Sequence, residues 1–349
     1  MRFFGVLLSV LLIQLSSIAQ TIHPLTAHPP TSIRGLVALG SVVWASGTGG
    51  TVGRSTDGGQ HWSWMTVPGF STRDFRDIAA FDSSTAVIMA VDTPAVLLRT
   101  EDGGGHWTEV FRDGTPGMFL DAMDFRGGKG IVVGDPVGTA TGSRFYLAMT
   151  LNYGRTWTAF SDGIRPLADS GEGCFASSGT NIRLLLQPST PYAFVSGGPS
   201  SRLFVNTTGA RLPLLQGAVS TGANSIATDS NHWVIVGGDF AHDTVSGGNC
   251  LYSIDGGAHW LVPHTPPHGY RSCVIHVYGS TYVCCGTSGI DVSHDGGDHW
   301  RLLSRESYHV AANAGAGVGA ASRSGAASGS GHSVYLAGAH GRVARLDGL

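Results

Sequence analysis

Short runs of apolar and β-branched residues recur along the chain, and each ends at or directly before a glycine or an aspartate. The runs are SVVWASG, TAVIMAV, GIVVGD, YAFVSGG, HWVIVGG, TYVCCG and SVYLAG. Runs of this length and composition predict buried β-strands followed by turns. Another strand is predicted before each run, as in FRDIAAF, and two more after it, as in AVLLRT and HWTEVF. The pattern therefore predicts units of four short strands.

An eight-residue sequence of the form S/T-x-D/N-x-G-x-x-W lies between the third and fourth predicted strands of most units. Its copies are Ser55–Trp62, Thr100–Trp107, Thr150–Trp157, Ser253–Trp260 and Ser293–Trp300. Their third residues are separated by 45, 50, 103 and 40 positions. A degenerate copy at Val205–Leu212 divides the longest interval, and a copy cut short follows at Asp347-Gly348. Seven units with a period of about 40–55 residues predict an all-β, seven-bladed β-propeller.

The repeated sequence has the residues of a tight turn. An Asp or Asn side chain accepts backbone N–H bonds inside a turn, a Ser or Thr hydroxyl bonds across it, and glycine permits positive φ. We expect the tryptophan to be buried between neighbouring sheets. The repeated aspartates would also suit calcium, but the carboxylates are too few and the EF-hand spacing is absent, so no metal site is predicted. The predicted structural residues are Asp57, Trp62, Asp102, Trp107, Asn152, Trp157, Asp255, Trp260, Asp295 and Trp300.

The two ends of the chain are predicted to close the propeller. The last unit stops before its fourth strand, and the segment TIHPLTAHPP precedes the first unit without a blade of its own. Pairing the two would remove the open edges of the first and last blades. Residues 20–349 are therefore predicted to be one propeller. Ala311–Gly331, rich in Gly, Ala and Ser, is predicted to be a flexible loop within its last blade.

Residues 1–19 have the pattern of a secretory signal peptide. Arg2 is followed by the apolar run Phe3–Leu15 and by small residues at Ser17–Ala19, which predicts cleavage before Gln20. An uncleaved anchor is the alternative. The apolar run is too short for a comfortable membrane span, and no later stretch is long and apolar enough. We therefore expect a secreted or periplasmic monomer with no membrane span after cleavage.

The composition argues against nucleic acid as a partner and against a disulfide-based fold. Glycine accounts for 52 of 349 residues, charged residues for 13%, and the net charge is −3, so no basic footprint for nucleic acid is present. The five cysteines do not form a disulfide scaffold. Cys273 and Cys285 would face each other across a hairpin that turns near Tyr278–Ser280, either as a disulfide or as buried free thiols. No cofactor is predicted.

Candidate binding residues are predicted at the end of the central channel opposite the repeated turns. The cations at the starts of innermost strands are Arg34, Arg76, Arg271 and His309, and the acids after second strands are Asp92, Asp135 and Asp239. Glu172, His242 and Asp243 could join them from loops. A ring of arginines and carboxylates could bind an anionic or sugar-like ligand. The alternative is that these residues form salt bridges with one another and cap turns.

The repeated sequence resembles the Asp-box, or bacterial neuraminidase repeat, which occurs in sialidases, other glycosidases and binding propellers. Over about residues 30–349 the chain resembles secreted bacterial relatives of the photosystem II stability/assembly factor family. The stretches that carry this resemblance are FRDIAAFD, MFLDAMDF, GDPVG, CFASSGTN, VVGGDF, GYRSC and CGTSGIDVSHDGG. The resemblance implies a propeller with an assembly or binding role. Nothing in the sequence indicates a photosystem partner.

Three functions follow, in order of preference. The first is a non-catalytic binding or assembly scaffold whose partner is an extracytoplasmic protein or a glycan. The second is a sialidase-like glycoside hydrolase that uses two of Asp135, Glu172 and Asp239. The Arg-Ile-Pro motif of sialidases is absent, and Ser32–Gly35 is only loosely similar to it. The third, a redox enzyme, has no support, because no dinucleotide-binding, haem or copper motif is present.

Overall fold

The structure, a computed structural model, describes residues 20–187, 191–315 and 332–349. The predicted signal peptide lies outside these residues. The strands of the described residues, in chain order, are β1 (Thr21–Ala27), β2 (Ile33–Leu39), β3 (Val42–Gly47), β4 (Thr51–Ser55), β5 (Ser63–Thr66), β6 (Phe75–Ala80), β7 (Ala86–Ala90), β8 (Ala95–Thr100), β9 (Thr108–Asp113), β10 (Leu120–Arg126), β11 (Lys129–Thr139), β12 (Gly142–Thr150), β13 (Thr158–Ala159), β14 (Ile182–Leu184), β15 (Tyr192–Val195), β16 (Arg202–Val205), β17 (Thr208–Arg211), β18 (Thr221–Asp229), β19 (His232–Asp239), β20 (Cys250–Ser253), β21 (Cys273–Tyr278), β22 (Thr281–Gly286), β23 (Gly289–Ser293), β24 (Arg301–Ser304), β25 (Val310–Asn313), β26 (Val334–Ala337) and β27 (Arg342–Asp347).

The described strands form seven antiparallel sheets, which are the seven predicted blades. Blades 1 to 4 are β2–β5, β6–β9, β10–β13 and β14–β17, blade 5 is β18–β20, blade 6 is β21–β24, and blade 7 combines β25–β27 with β1. The helices of the described residues are two single-turn 3-10 helices, Asp162–Ile164 and Ala339–Gly341. The prediction of an all-β, seven-bladed propeller is confirmed.

None of the helices in the described ranges has the length and apolar character needed to cross a membrane.

Blade 5 departs from the four-stranded prediction. Its fourth strand is reduced to an isolated bridge between Tyr252 and Leu261. Pro263, Pro266 and Pro267 follow this bridge. Because proline has no N–H to donate to a neighbouring strand, a regular ladder cannot continue there.

The N-terminal strand closes the ring of blades, as predicted. β1 pairs antiparallel with β27 from Thr21 opposite Asp347 to Ala27 opposite Arg342. The outer strand of blade 7 thus comes from the start of the propeller and its three inner strands from the end. This arrangement pairs an edge of β27 that would otherwise be open.

The predicted flexible loop at Ala311–Gly331 begins later than expected. Ala311 and Ala312 are buried in β25, the innermost strand of blade 7. Small side chains fit this position because innermost strands converge towards the propeller axis. Residues 316–331 lie outside the described residues, so the rest of the loop stays a prediction.

The core consists of apolar side chains packed between adjacent blades. Between blades 3 and 4, for example, Phe145, Phe194 and Phe204 form a cluster whose ring centroids are 4.5–5.1 Å apart. All three rings are buried. Each blade therefore depends on its neighbours to cover its faces.

Cys273 and Cys285 face each other in register across the β21–β22 hairpin, as predicted. Both are buried, and all five cysteines are free thiols in the structure. Cys273 Sγ also contacts the backbone of Ala311 in blade 7. The pair therefore lies in the packed core between blades 6 and 7.

Candidate functional site

The five repeated sequences form turns with the same hydrogen bonds. In the first, the Ser55 hydroxyl donates to Asp57 Oδ1 at 2.8 Å and accepts the Gly59 N–H at 2.9 Å. Asp57 Oδ1 also accepts the His61 N–H at 2.9 Å. The same three bonds recur in the other four copies at 2.8–3.2 Å. The structure therefore explains the repetition as one turn built five times.

All five turns lie at the same face of the propeller, called here the turn face. Each donates a backbone N–H to the hairpin between the first two strands of its own blade. The acceptors are the carbonyl oxygens of Ser41, Ser84, Gly128, Asn231 and Ser280, at 2.8–2.9 Å. The innermost strands therefore begin at the opposite face, where they surround the end of the channel called here the mouth.

The tryptophans of the turns are less buried than predicted. Trp300 is 2% exposed, but the other four tryptophans are only partly buried. Each sits at the edge of a blade, where the turn packs against the preceding blade. Gly59, for example, lies against Leu25 of blade 7, and its φ of 87° favours glycine.

The degenerate copy at Val205–Leu212 occupies the predicted place between the third and fourth strands of blade 4. It is a tight hairpin between β16 and β17 in which Val205 pairs with Thr208. Asn206 adopts a φ of 54°. Leu212 is buried in the position predicted for the tryptophan.

A bulge near the start of the innermost strand places a side chain at the mouth in most blades. In blades 1, 2, 3 and 5 the strand register shifts at this point. In blades 6 and 7 the corresponding residue donates its N–H to the end of the second strand. The residues at these positions, called here the bulge ring, are Arg34, Arg76, Asp121, Asn224, Ser272 and His309.

The prediction that Arg271 lies at the mouth is wrong. Arg271 is one position before the bulge-ring residue Ser272, and its side chain points into blade 6, where it is fully buried. It forms an ion pair with the buried carboxylate of Asp291 and donates to the Ser288 hydroxyl at 2.7 Å. The pair holds the Arg271 side chain inside blade 6, and Ser272 takes the position at the mouth.

A loop of blade 4 crosses the channel and forms the floor of the mouth. In this plug segment, residues 175–180, the Ser177 carbonyl accepts a bond from Arg34 of blade 1 at 3.2 Å. The Ser177 hydroxyl lies 3.2 Å from Asn224 Oδ1 of blade 5. The Ser178 hydroxyl donates to the Ser272 carbonyl of blade 6 at 2.7 Å. Contacts with three blades on different sides show that the plug segment spans the channel.

Two arginines of the bulge ring lie close together beside one carboxylate. Arg34 is largely buried, and burial followed by the charge of Arg76 lowers its pKa. Arg76 Nη2 is 3.6 Å from Asp74 Oδ2, which is the shared nearby carboxylate. Two guanidinium groups therefore share one close carboxylate, in a chain whose overall charge is −3.

Burial also shifts the pKa values of the other titratable groups of the mouth. Burial raises the pKa of Asp121 well above its usual range, and the charge of the nearby Asp135 raises it further, whereas the charge of Arg76 lowers it. Burial, with the charge of Arg34, lowers the pKa of His309 to about 4, so its ring is neutral at pH 7. Burial also raises the pKa of Asp135 to about 6, although its Oδ1 accepts the Cys174 N–H at 2.9 Å.

The other candidate residues are held apart from the arginines by their own partners. Glu172 is buried in an ion pair with Arg202 and accepts the Asp169 N–H at 2.8 Å. Asp239 accepts the Ala241 N–H at 2.9 Å and contacts His242 Nδ1 at 2.8 Å, which orders the loop after β19. The Asp92 side chain is exposed. The structure thus joins Arg34, Arg76 and His309 and leaves Glu172, Asp239, His242 and Asp92 in separate surroundings.

Sequence reasoning missed the Asp121, Asn224 and Ser272 positions and the plug segment. The glycine that ends the second strand of a blade could have located these three positions. Gly286 packs against the backbone of Tyr270 and Arg271, and Gly134 packs against Phe119 in the same way. The residue that follows this contact is the bulge-ring residue, which gives Ser272 in blade 6 and Asp121 in blade 3. No comparable local signal marks a loop that crosses the channel.

Comparisons with known proteins support the fold. No protein-family model matches the chain, and no curated protein matches its sequence. Among solved structures, YCF48 bound to D1 peptide is 14% identical with a TM-score of 0.58, covering 93% of this chain and 96% of that one. YCF48 from Cyanidioschyzon merolae is 15% identical with a TM-score of 0.57, covering 93% and 98%. An ancestral GH74 enzyme is 10% identical with a TM-score of 0.57, covering 92% of this chain and 45% of that one.

Proposed function

We propose that the chain is an exported, non-catalytic binding propeller that holds a protein partner by an anionic group at the mouth. The observation that carries this proposal is the pair Arg34 and Arg76, two guanidinium groups that share the nearby carboxylate of Asp74. A carboxylate of a partner would pair with the two cations and accept bonds from guanidinium N–H groups. The plug segment would form the floor of the site.

The sequence and a related fold support this choice of ligand. The repeated turns match the Asp-box pattern, which is compatible with binding propellers and glycosidases alike. The resemblance to assembly factors favours a protein partner. A propeller of the same architecture, YCF48, is known with a bound D1 peptide. Since low identity transfers only the fold, the partner of this chain is argued from its own arginines.

A glycoside hydrolase is less well supported. Such an enzyme needs two carboxyl groups facing one sugar from about 5–9.5 Å apart. Glu172 is held in an ion pair with Arg202, and Asp239 accepts a hydrogen bond within its own loop. We therefore expect no turnover of aryl glycosides by the purified protein.

The proposal can be tested with fluorescein-labelled peptides that differ only in Glu or Gln content and in a free or amidated C-terminus. Fluorescence anisotropy should show tighter binding of the acidic peptides. Replacing Arg34 and Arg76 by Ala should weaken this binding by at least about tenfold. Arg112→Ala is the matched control, because Arg112 pairs with Glu109 on the outer strand of blade 2. Equal binding by all variants, or no preference for acidic peptides, would contradict the proposal.

Export is the second part of the proposal and rests on the signal-like residues 1–19. Expression in a bacterial host should deliver a chain that begins at Gln20 to the periplasm or the medium. Mass spectrometry of the N-terminus checks this expectation. A full-length chain retained in the cytoplasm would contradict it.

A further inference from the structure

Three side chains that commonly bind metals meet on the turn face of blade 6. His264 Nδ1 lies 2.7 Å from Asp298 Oδ1, and His299 Nδ1 lies 3.5 Å from Asp298 Oδ2. One nitrogen or oxygen from each residue lies within 4.8 Å of the other two. In the described parts of the chain, no other three His, Cys, Asp or Glu side chains come this close.

The backbone holds the three residues together although His264 and His299 are far apart in sequence. The Thr265 N–H donates to the Asp298 carbonyl at 3.1 Å, and the Trp300 N–H donates to the Thr265 carbonyl at 2.9 Å. The His264 N–H also donates to Asp298 Oδ1 at 3.1 Å. The two imidazole rings lie parallel, with centroids 5.3 Å apart and an angle of 5° between their planes. The backbone therefore brings the three side chains to one place on the surface.

The other turns show what is special about this cluster. His61, His106 and His259 occupy the same turn position as His299, and each contacts the turn aspartate through Nδ1 at 2.6 Å. His299 makes the corresponding contact with Asp295 at 2.8 Å. Only the turn of blade 6 adds a second histidine and a second carboxylate, and within the described residues the other turns lack this arrangement. The turn geometry alone therefore does not account for the cluster.

We propose that His264, His299 and Asp298 bind a divalent transition metal ion, with Zn²⁺ as the reference ion. Two imidazole nitrogens and one carboxylate oxygen suit Zn²⁺, with a water molecule in the fourth position. Tetrahedral ligands at Zn²⁺ stand about 3.4 Å apart, given bond lengths of about 2.1 Å. Rotation of the exposed side chains can adjust the present separations to this value, since the side chains of His264 and His299 are 76% and 56% exposed. This site is on the face opposite the mouth and does not depend on the proposed function.

The experiment is a titration of the chelator-treated, full mature chain with ZnCl₂ by isothermal titration calorimetry, repeated with CoCl₂ by absorption spectroscopy. The expected result is one Zn²⁺ per chain and the visible bands of Co²⁺ in a low-coordinate site. His264→Ala should weaken Zn²⁺ binding by at least about tenfold, because even residues behind the metal ligands commonly contribute that much. His106→Ala is the matched control and should leave binding unchanged.

Each alternative outcome overturns the proposal. Absence of Zn²⁺ binding contradicts the site directly. Equal binding by the wild type and His264→Ala would show that single turn histidines or other groups bind the ion. Circular dichroism melting curves of the ion-free variants establish that both are folded, as expected for exposed side chains.

Discussion

The side chain of Asn152 shows what the aspartates contribute to the repeated turns. Asn152 Oδ1 accepts the Thr156 N–H at 3.0 Å and the Thr150 hydroxyl at 2.9 Å, as the aspartates do in their turns. Its amide group donates to the Thr156 hydroxyl at 2.9 Å, where the other turns have an aspartate–histidine contact. The backbone turn therefore needs an acceptor oxygen at this position and does not need a charge.

This comparison predicts how stability depends on pH. The backbone N–H of His259, then its ring and Ser253, lowers the pKa of Asp255 to about 2. Because the folded pKa is below the unfolded value of about 3.9, the aspartate stabilises the fold above pH 4 and loses this contribution between about pH 4 and 2. The double variant Asp255→Asn, His259→Thr copies the third turn and should lose less stability over that interval. Urea unfolding at several pH values measures the difference, and parallel pH profiles would contradict this explanation.

Asp135 should show the opposite dependence on pH. Burial raises its pKa to about 6, so folding favours the protonated acid, and stability falls as the pH rises from about 4 to 6. Asp135→Asn keeps an acceptor for the Cys174 N–H without the buried charge. The variant should melt at a higher temperature than the wild type at pH 7 and at the same temperature at pH 4. Melting curves that differ equally at both pH values would exclude a charge effect.

The exposure of the turn tryptophans predicts an order of stability losses. Trp300 is 2% exposed and donates to the Gly297 carbonyl at 2.9 Å, so Trp300→Ala should cost about 3–5 kcal/mol. Trp157 is only partly buried, so Trp157→Ala should cost less. Free energies of unfolding from urea titrations test this order. Equal losses would mean that the turn position, rather than burial, determines the contribution.

At the scale of strands and loops, local patterns predicted the elements but not their register. Each turn and second strand could be predicted because neighbouring residues determine them. Arg271 was misplaced because the bulge-ring position of blade 6 is the next residue, Ser272, and neighbouring residues of a strand point to opposite sides. The plug segment could not be predicted, because its contacts with Arg34, Asn224 and Ser272 join residues distant in sequence.

The β1 strand should contribute to global stability because it completes blade 7. Deleting Thr21–Pro30 would leave β27 with an open edge, and the melting temperature should fall by several degrees. Leu25→Asp is a milder test, since Leu25 packs against Gly59 in the turn of blade 1. Differential scanning calorimetry measures both variants. Unchanged melting of the two would show that closure by β1 adds little.

At the scale of the whole molecule, the propeller separates two surfaces with different chemistry. The mouth presents Arg34 and Arg76 above the plug segment, whereas the turn face presents histidines and carboxylates. The number of blades was predictable because the repeated turn recurs along the sequence about once per blade. The pairing of His264 with His299 was not, because it depends on how the loop after blade 5 folds against the next blade.

Photo-crosslinking in cells of the native host tests the central claim, that a protein partner binds at the mouth. p-Benzoylphenylalanine would replace exposed Asp92 on the mouth side, or exposed Gln60 on the turn face as the matched control. The account predicts a crosslinked protein from position 92 that disappears when Arg34 and Arg76 are also replaced by Ala, and no such arginine-dependent product from position 60. Crosslinks only from position 60, or products at position 92 that persist without the two arginines, would contradict it.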